Sequence, residues 1–316
     1  MELRNLGKSN LQVSPIGLGT WQFSQAHGFH KYFWKNINPP VMDEIVKVSY
    51  ENGVNWFDTA EIYGSGRSER ALRDALQQIQ AENVVIATKW NAFLRRAGTI
   101  TKTFPKRIEN LDPYPIDLYQ IHVPYSISRL KTQLKKMHEL FEKNLIKAIG
   151  VSNFSTSKME KSFNVLENLG SRLVSNQVKY SIFDRSIESN GVLQKAKDLD
   201  MTIIAYSPLA QGLATGVFHK KQTKIKDIPF IRRTRIKKYI KKTSRIIDEL
   251  EQMSAELNCS IAQISLSWLI NQNDNSVIAI PGASKVAQAL SNANSMNIFL
   301  SNEKLNSIDE MTQIFL

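Results

Sequence analysis

The sequence predicts an α/β fold, a (β/α)8 TIM barrel occupying residues 1–316 as one domain. Short apolar, β-branched runs alternate with longer amphipathic segments along the whole chain. There are eight such runs, which favours a closed barrel over an open sheet. No linker, repeat or low-complexity tract interrupts them, and 316 residues is an ordinary length for this architecture.

Taken in order, residues 2–13, with Gly7-Lys8-Ser9-Asn10 at the middle, read as an N-terminal β-hairpin closing the barrel bottom. The first barrel strand includes residues 16–19. The others are expected at 55–59, 84–89, 116–122, 148–151, 174–178, 202–206 and 276–280. Helices fit at 41–52, 68–80, 128–143, 155–169, 191–199 and 261–272. Gly53 stops the first of these as a C′ glycine, and Asn153, Ser155 and Thr156 offer cap oxygens before the fourth. After strand 7 comes a long basic loop within 210–243, longer than βα connections usually are, and such length marks function.

Composition excludes several classes. Hydrophobic residues at 42% and charged ones at 22% supply a globular core. No run reaches the roughly 18 apolar residues of a membrane span. The opening MELRNLGKSNLQVS lacks a signal-peptide apolar run, so a cytoplasmic protein is expected. Cys259 is the only cysteine, which rules out an internal disulfide and a cysteine metal cluster. His27 and His30 have no carboxylate or cysteine to join them, so no metal is expected. The net charge of +12 is local: residues 219–245 carry twelve Lys and Arg against Asp227 alone, leaving the remainder near neutral.

Four residues stand where predicted strands end, the place where barrels of this type carry their chemistry. Asp58 closes NWFDT and Tyr63 follows in the next loop; Lys89 ends VVIATK, and His122 ends IDLYQIH. Each alone reads more readily as a cap or a packed side chain than as a catalytic group. Together they are complementary. The phenol is a weak acid, the ammonium favours its phenolate, the carboxylate orients the ammonium, and the imidazole can hydrogen-bond a substrate oxygen. That set suits protonation of a carbonyl oxygen while something else delivers a hydride. Gly64-Ser65-Gly66 also follows a strand and precedes a helix. Glu69 stands where a third Rossmann glycine would be, and no acidic residue closes a second strand, so this is a turn.

GVNWFDTAEIYGSGRSE, VVIATKW, DLYQIH, IGVSNFS, NQVKYSIFDR, IIAYSPLAQGLATG and IPGASKVAQALSNAN resemble the successive motifs of the aldo-keto reductase superfamily. They occur in the family's order over nearly the whole chain. The resemblance implies a barrel that binds a nicotinamide dinucleotide, NADP(H), without a Rossmann domain. It makes Tyr63 the general acid, with Lys89 and Asp58 tuning it and His122 orienting the carbonyl. Ser152, Asn153 and Gln177 resemble the set that hydrogen-bonds the nicotinamide carboxamide, and Tyr206 the ring stacked beneath it. Ser207, Leu209, Gln211 and Gly212 would follow the pyrophosphate; Gly282, Ser284, Lys285, Gln288 and Asn292 resemble the adenosine end. Lys285 and Ser284 suit a 2′-phosphate. Some members place an arginine at the position of Gln288 and an acidic residue at that of Ser291, departures that bear on NADPH against NADH.

Trp21, Phe23, Phe29, Tyr32, Phe33 and Trp34, with Trp90 and Tyr125, offer an apolar pocket over the nicotinamide, and Trp21 would touch the cofactor too. The alternative is that about half of them pack loop against barrel. The basic segment has three readings: a belt over the cofactor phosphates, a solvated helix with Ile231, Ile236 and Ile240 inward, or a surface for nucleic acid or anionic lipid. The expected function is therefore NADPH-dependent reduction of an aldehyde or ketone, by a monomer or simple homo-oligomer acting on a small carbonyl substrate. Two other readings stay open: a slow-turnover, redox-sensing subunit that binds NADP(H), and a barrel whose basic loop binds a polyanion.

Overall fold

Eight short strands lie side by side and parallel in a computed structural model that describes residues 2–25, 35–220, 225–226 and 228–316, the side chains of residues 231 and 235 aside. They are β3 (Leu18–Gly19), β4 (Trp56–Asp58), β5 (Val85–Trp90), β6 (Leu118–Ile121), β7 (Ala148–Ser152), β8 (Leu173–Lys179), β9 (Thr202–Tyr206) and β10 (Val277–Ile280). Each pairs with the next in sequence. The ring closes where the Gly17 amide donates to the Ala279 carbonyl at 2.8 Å and the Ala279 amide to that of Pro15 at 2.9 Å. This is the predicted (β/α)8 barrel.

Side chains alternate faces along a strand, so every second residue enters the barrel. Trp56, Ala87, Leu118, Ala148, Val174, Ile204 and Ile278 make the lower interior layer. The intervening residues Phe57, Ile86, Tyr119, Ile149, Ile203 and Ala279 turn outward into the larger core beneath the helices. The predicted hairpin forms from two antiparallel strands, β1 (Arg4–Asn5) and β2 (Gln12–Val13). Its Leu6, Leu11 and Val13 join the interior layer and plug the bottom. Gly7 turns the hairpin at φ +53°, and a Cβ there would lie 2.4 Å from the Val174 carbonyl oxygen, so glycine is required.

The helices around the barrel are α1 (Pro39–Glu51), α2 (Arg67–Gln78), α3 (Gly98–Leu111), α4 (Leu130–Glu142), α5 (Thr156–Glu167), α6 (Ser186–Ser189), α7 (Val192–Asp198), α8 (Val217–Lys220), α9 (Phe230–Glu256), α10 (Ile261–Asn271), α11 (Val286–Asn294) and α12 (Asn302–Thr312). The sequence reading assigns no helix to 98–111. The structure forms α3 there despite an internal Pro105, because Ile100, Phe104, Arg107 and Leu111 make one buried stripe. In the basic segment the helix reading is realised: α9 buries Ile236, Thr243, Ile246, Ile247 and Leu250 and half-buries Ile240. Lys237, Lys238, Lys241, Lys242 and Arg245 are exposed on it, while the side chain of Ile231 lies outside the described residues.

Tyr119 illustrates the outer core. It is fully buried against Phe104, ring centroids 5.1 Å apart, and its hydroxyl has no hydrogen-bond partner among the described residues. Burial pushes its phenol well above the ordinary tyrosine range, and the Glu61 carboxylate pushes the same way. A folded-state pKa above the unfolded value gives stability that is complete below about pH 10 and lost as pH rises beyond it. Tyr119→Phe should therefore match or exceed the parent's stability at pH 7, since it removes an unpartnered hydroxyl. Above about pH 10 its unfolding free energy should fall less steeply, by up to about 1.4 kcal/mol per pH unit. Thermal melts across the alkaline range check this, and identical slopes would refute it.

Candidate active site

The alternation that packs the lower layer also builds the polar one above it. Asp58, Lys89, Gln120 and Gln177 each lie two or three residues beyond an interior apolar residue of their own strand, and none is more than 2% exposed. The Lys89 ammonium donates to Asp58 Oδ1 through a short contact and to the Thr59 carbonyl at 2.7 Å. Asp58 Oδ2 accepts from Gln177 Nε2 at 2.8 Å and from Gln120 Nε2 at 3.2 Å. Burial pushes the Lys89 pKa down, and Asp58 opposes it.

Tyr63 sits on the turn after β4, where Gly64, Ser65 and Gly66 all take left-handed backbone angles; this is the expected turn and holds no phosphate-binding loop signature. Lys89 Nζ lies 5.1 Å from its ring centroid. The His122 ring meets Tyr63 edge-on at 5.7 Å, and Trp21 lies 6.2 Å away. The expected quartet therefore comes together. One expectation changes, since Lys89 does not bring the phenol down in this state. Burial holds it well above the ordinary tyrosine range, and Asp58 and Tyr206 push the same way. Asp58 contacts the ammonium directly and masks its charge.

Around the quartet, Ser152, Asn153 and Tyr206 form one chain of hydrogen bonds. The Tyr206 hydroxyl donates to Asn153 Oδ1 at 3.1 Å, Asn153 Nδ2 to Ser152 Oγ at 3.0 Å, and Ser152 Oγ to the Gln177 carbonyl at 2.9 Å. The Gln177 amide nitrogen, matched by resemblance to a carboxamide contact, is held by Asp58 here. Ser207, Ala210, Gln211 and Gly212 all have positive φ, a concentration of backbone strain in keeping with a ligand clamp. Leu209 lies among them half-buried, and Arg232 of α9 reaches back to donate to the Gln211 carbonyl at 2.8 Å. Burial pushes Arg232 down to about 10. The basic run thus divides between Arg232 on the loop and lysines facing solvent.

At the ends of β10 and α11, Gln288 Oε1 accepts from the Ser284 amide at 2.9 Å and from its hydroxyl at 3.1 Å. Lys285 is exposed, with no ion-pair partner among the described residues. Asn292 is only 5% exposed, yet its Nδ2 has no hydrogen-bond partner among the described residues. A buried amide in that condition is what an adenine ring would satisfy. Gly282 is pressed against Gln22, whose amide would lie 2.2 Å from an added Cβ.

The proposed substrate wall is redrawn. Trp90 and Phe23 are fully buried in the outer core. Trp90 has the parity opposite to Lys89, so it points outward, and its indole donates to Thr99 Oγ1 at 3.0 Å. Trp21 stays half-buried beside Tyr63, and Tyr125 is 64% exposed with Lys158 over its ring at 5.7 Å. Phe93, Leu94 and Ile127 are exposed on the loops after β5 and β6. Phe33 and Trp34, with His27, Phe29, His30 and Tyr32, lie outside the described residues. Gln120 was missed, although its parity with Leu118 and His122 marks it. Among the described residues no cluster of metal-ligating side chains forms, and no helix is long and apolar enough to cross a membrane.

The Aldo/keto reductase family model matches residues 15–313. An uncharacterized oxidoreductase of Mycobacterium tuberculosis is 32% identical over 307 residues, covering 96% of this chain and 91% of the relative. A relative from Escherichia coli named as an NADH-specific methylglyoxal reductase is 27% identical, covering 98% and 97%. The crystal structure of a thermostable aldo-keto reductase with the inhibitor epalrestat superposes with a TM-score of 0.77 at 28% identity, covering 98% of this chain and 100% of that one. One from Klebsiella pneumoniae in complex with NADP and acetate shares the fold, with a TM-score of 0.75 at 22% identity, covering 99% and 96%. With quartet, barrel and motif order in agreement, the chain belongs to the aldo/keto reductase family.

Proposed function

We propose that this protein is an NADPH-dependent carbonyl reductase in which Tyr63 is the general acid. The observation that carries the reading is the half-buried Tyr63 ring between the His122 edge and a Lys89 ammonium locked to Asp58. The raised phenol keeps its proton at neutrality, as an acid must before it acts. His122 orients the carbonyl and makes its carbon more electrophilic. As the proton leaves Tyr63 for the carbonyl oxygen, Lys89 faces a developing phenolate, and its charge counts more than in the resting site. Bound nicotinamide supplies the hydride. Tyr63 is then reprotonated from solvent.

Ser152, Asn153 and Tyr206 would hold the nicotinamide end, the strained 207–212 loop with Arg232 the pyrophosphate, and Asn292 the adenine. Gln177 belongs with the first group through its Oε1, which can accept from the carboxamide while its Nε2 stays on Asp58. Lys285 and Ser284 suit the 2′-phosphate that separates NADPH from NADH. The Escherichia coli relative is named for NADH, so the choice rests on such side chains and not on the fold.

Spectrophotometric NADPH oxidation over aromatic, aliphatic and sugar aldehydes and quinones tests the reading directly. Tyr63→Phe should lower turnover by roughly 10²–10⁴-fold and leave the NADPH dissociation constant unchanged. Loss of NADPH binding in that variant would show that Tyr63 has been misassigned. Lys285→Ala should weaken NADPH at least about tenfold more than NADH, the scale of one charge-assisted contact. Equal weakening by titration would move the 2′-phosphate contact away from Lys285.

A further inference from the structure

We propose that Glu61 is a positioning residue that fixes the Tyr63 turn against the strand end bearing Lys89, through a buried charge cluster with Arg95, Arg107 and Glu69. The inference rests on the reading of Tyr63 as the proton donor. Glu61 lies between Asp58 and Tyr63 and is only 9% exposed. Its Oε1 accepts from the Asn91 amide and from Arg95, both at short range, and its Oε2 accepts from Arg107 at 2.8 Å. Asn91 directly follows β5, so one carboxylate ties the loop after β4 to the loop after β5.

The cluster extends behind Tyr63 as well. Arg107 of α3 is 6% exposed, and its Nε lies 3.0 Å from Glu69 Oε2. Glu69, two residues into α2 and fully buried, accepts from Asn110 Nδ2 at 2.7 Å and from Thr88 Oγ1 at 2.8 Å. Thr88 is the neighbour of Lys89. Arg95 is fixed in turn over the Trp90 ring at 5.6 Å and by Thr103 Oγ1 at 3.2 Å. Two carboxylates and two guanidinium groups therefore balance, and they clamp both flanks of the Tyr63 turn to the Lys89 strand.

Buried ion clusters are seldom more stabilising than well-packed apolar groups of the same volume, so stability alone is a poor reason for this one. Position is a better reason. Tyr63 rides on a turn of three consecutive left-handed residues, and proton transfer is sensitive to displacements below an ångström. Glu61 stands where it can prevent such displacement without touching substrate.

Glu61→Gln keeps the shape and one acceptor but removes the charge that gathers both guanidinium groups. It should lower kcat about tenfold, leave the NADPH dissociation constant and the pH midpoint of turnover in place, and speed amide hydrogen exchange across 60–66 and 90–96. Arg95→Lys, which keeps the charge and loses only the fork, should show the same pattern more weakly. In Glu61→Gln/Arg95→Met the guanidinium left without a carboxylate is removed while Arg107 keeps Glu69, so thermal stability should recover while kcat stays low. Recovery of kcat together with stability would overturn the proposal, because the cluster would then be structural only. Unchanged kcat and exchange in folded Glu61→Gln would overturn it too, with carbonyl reduction intact. Absence of wild-type turnover on every carbonyl would defeat the reduction reading instead, and exchange would still decide whether Glu61 holds the turn.

Discussion

Lys89 and Asp58 face each other inside the barrel with neither side chain reaching water, and each buried charge costs several kcal/mol before attraction is counted. The contact persists because neither ion depends on the other alone. Lys89 also donates to the Thr59 carbonyl, and Asp58 takes both side-chain amides, Gln120 and Gln177. The strands β4, β5, β6 and β8 thus converge on one carboxylate. Truncating either ion would leave the other uncompensated, a loss of about 3–5 kcal/mol. The barrel holds the pair, and the pair in turn holds four strand tops in register.

The same contact governs the chemistry proposed for Tyr63. At rest, Asp58 masks the ammonium and adds to the burial that keeps the phenol protonated. The positive charge is held ready without lowering the phenol's pKa in advance. An interaction that strengthens only as charge develops is the kind that lowers a barrier, whereas one already present in the ground state does not. In the proposed reaction Lys89 and Asp58 would together act as a preorganised dipole beside Tyr63.

Much of this was legible in the residues. Strand ends, the hairpin and the quartet follow from apolar runs, turn residues and chemical type. Gln120 was legible too, by counting back two from His122, and the outward direction of Trp90 by counting one from Lys89. Glu61 and Arg107 were not. An acidic residue in a polar loop and an arginine beside Pro105 look solvated until folding brings two distant segments together. The helix over 98–111 was hidden by that proline, whose missing amide is tolerated because the buried stripe holds α3 in place. The resting pKa of Tyr63 was also out of reach, since it depends on how closely Asp58 meets Lys89.

The strict in–out alternation of β6 makes that strand far less tolerant of altered length than of altered composition. Removing Leu118 would swing Gln120 and His122 toward the helices and bring Tyr119 and Ile121 into the well, exchanging a polar wall for an apolar one. The exposed tips of the loops after β5 and β6, at Phe93, Leu94 and Ile127, have no such phase to keep. Diversification of this scaffold should therefore proceed by insertion at its loops, while its strands accept substitutions only.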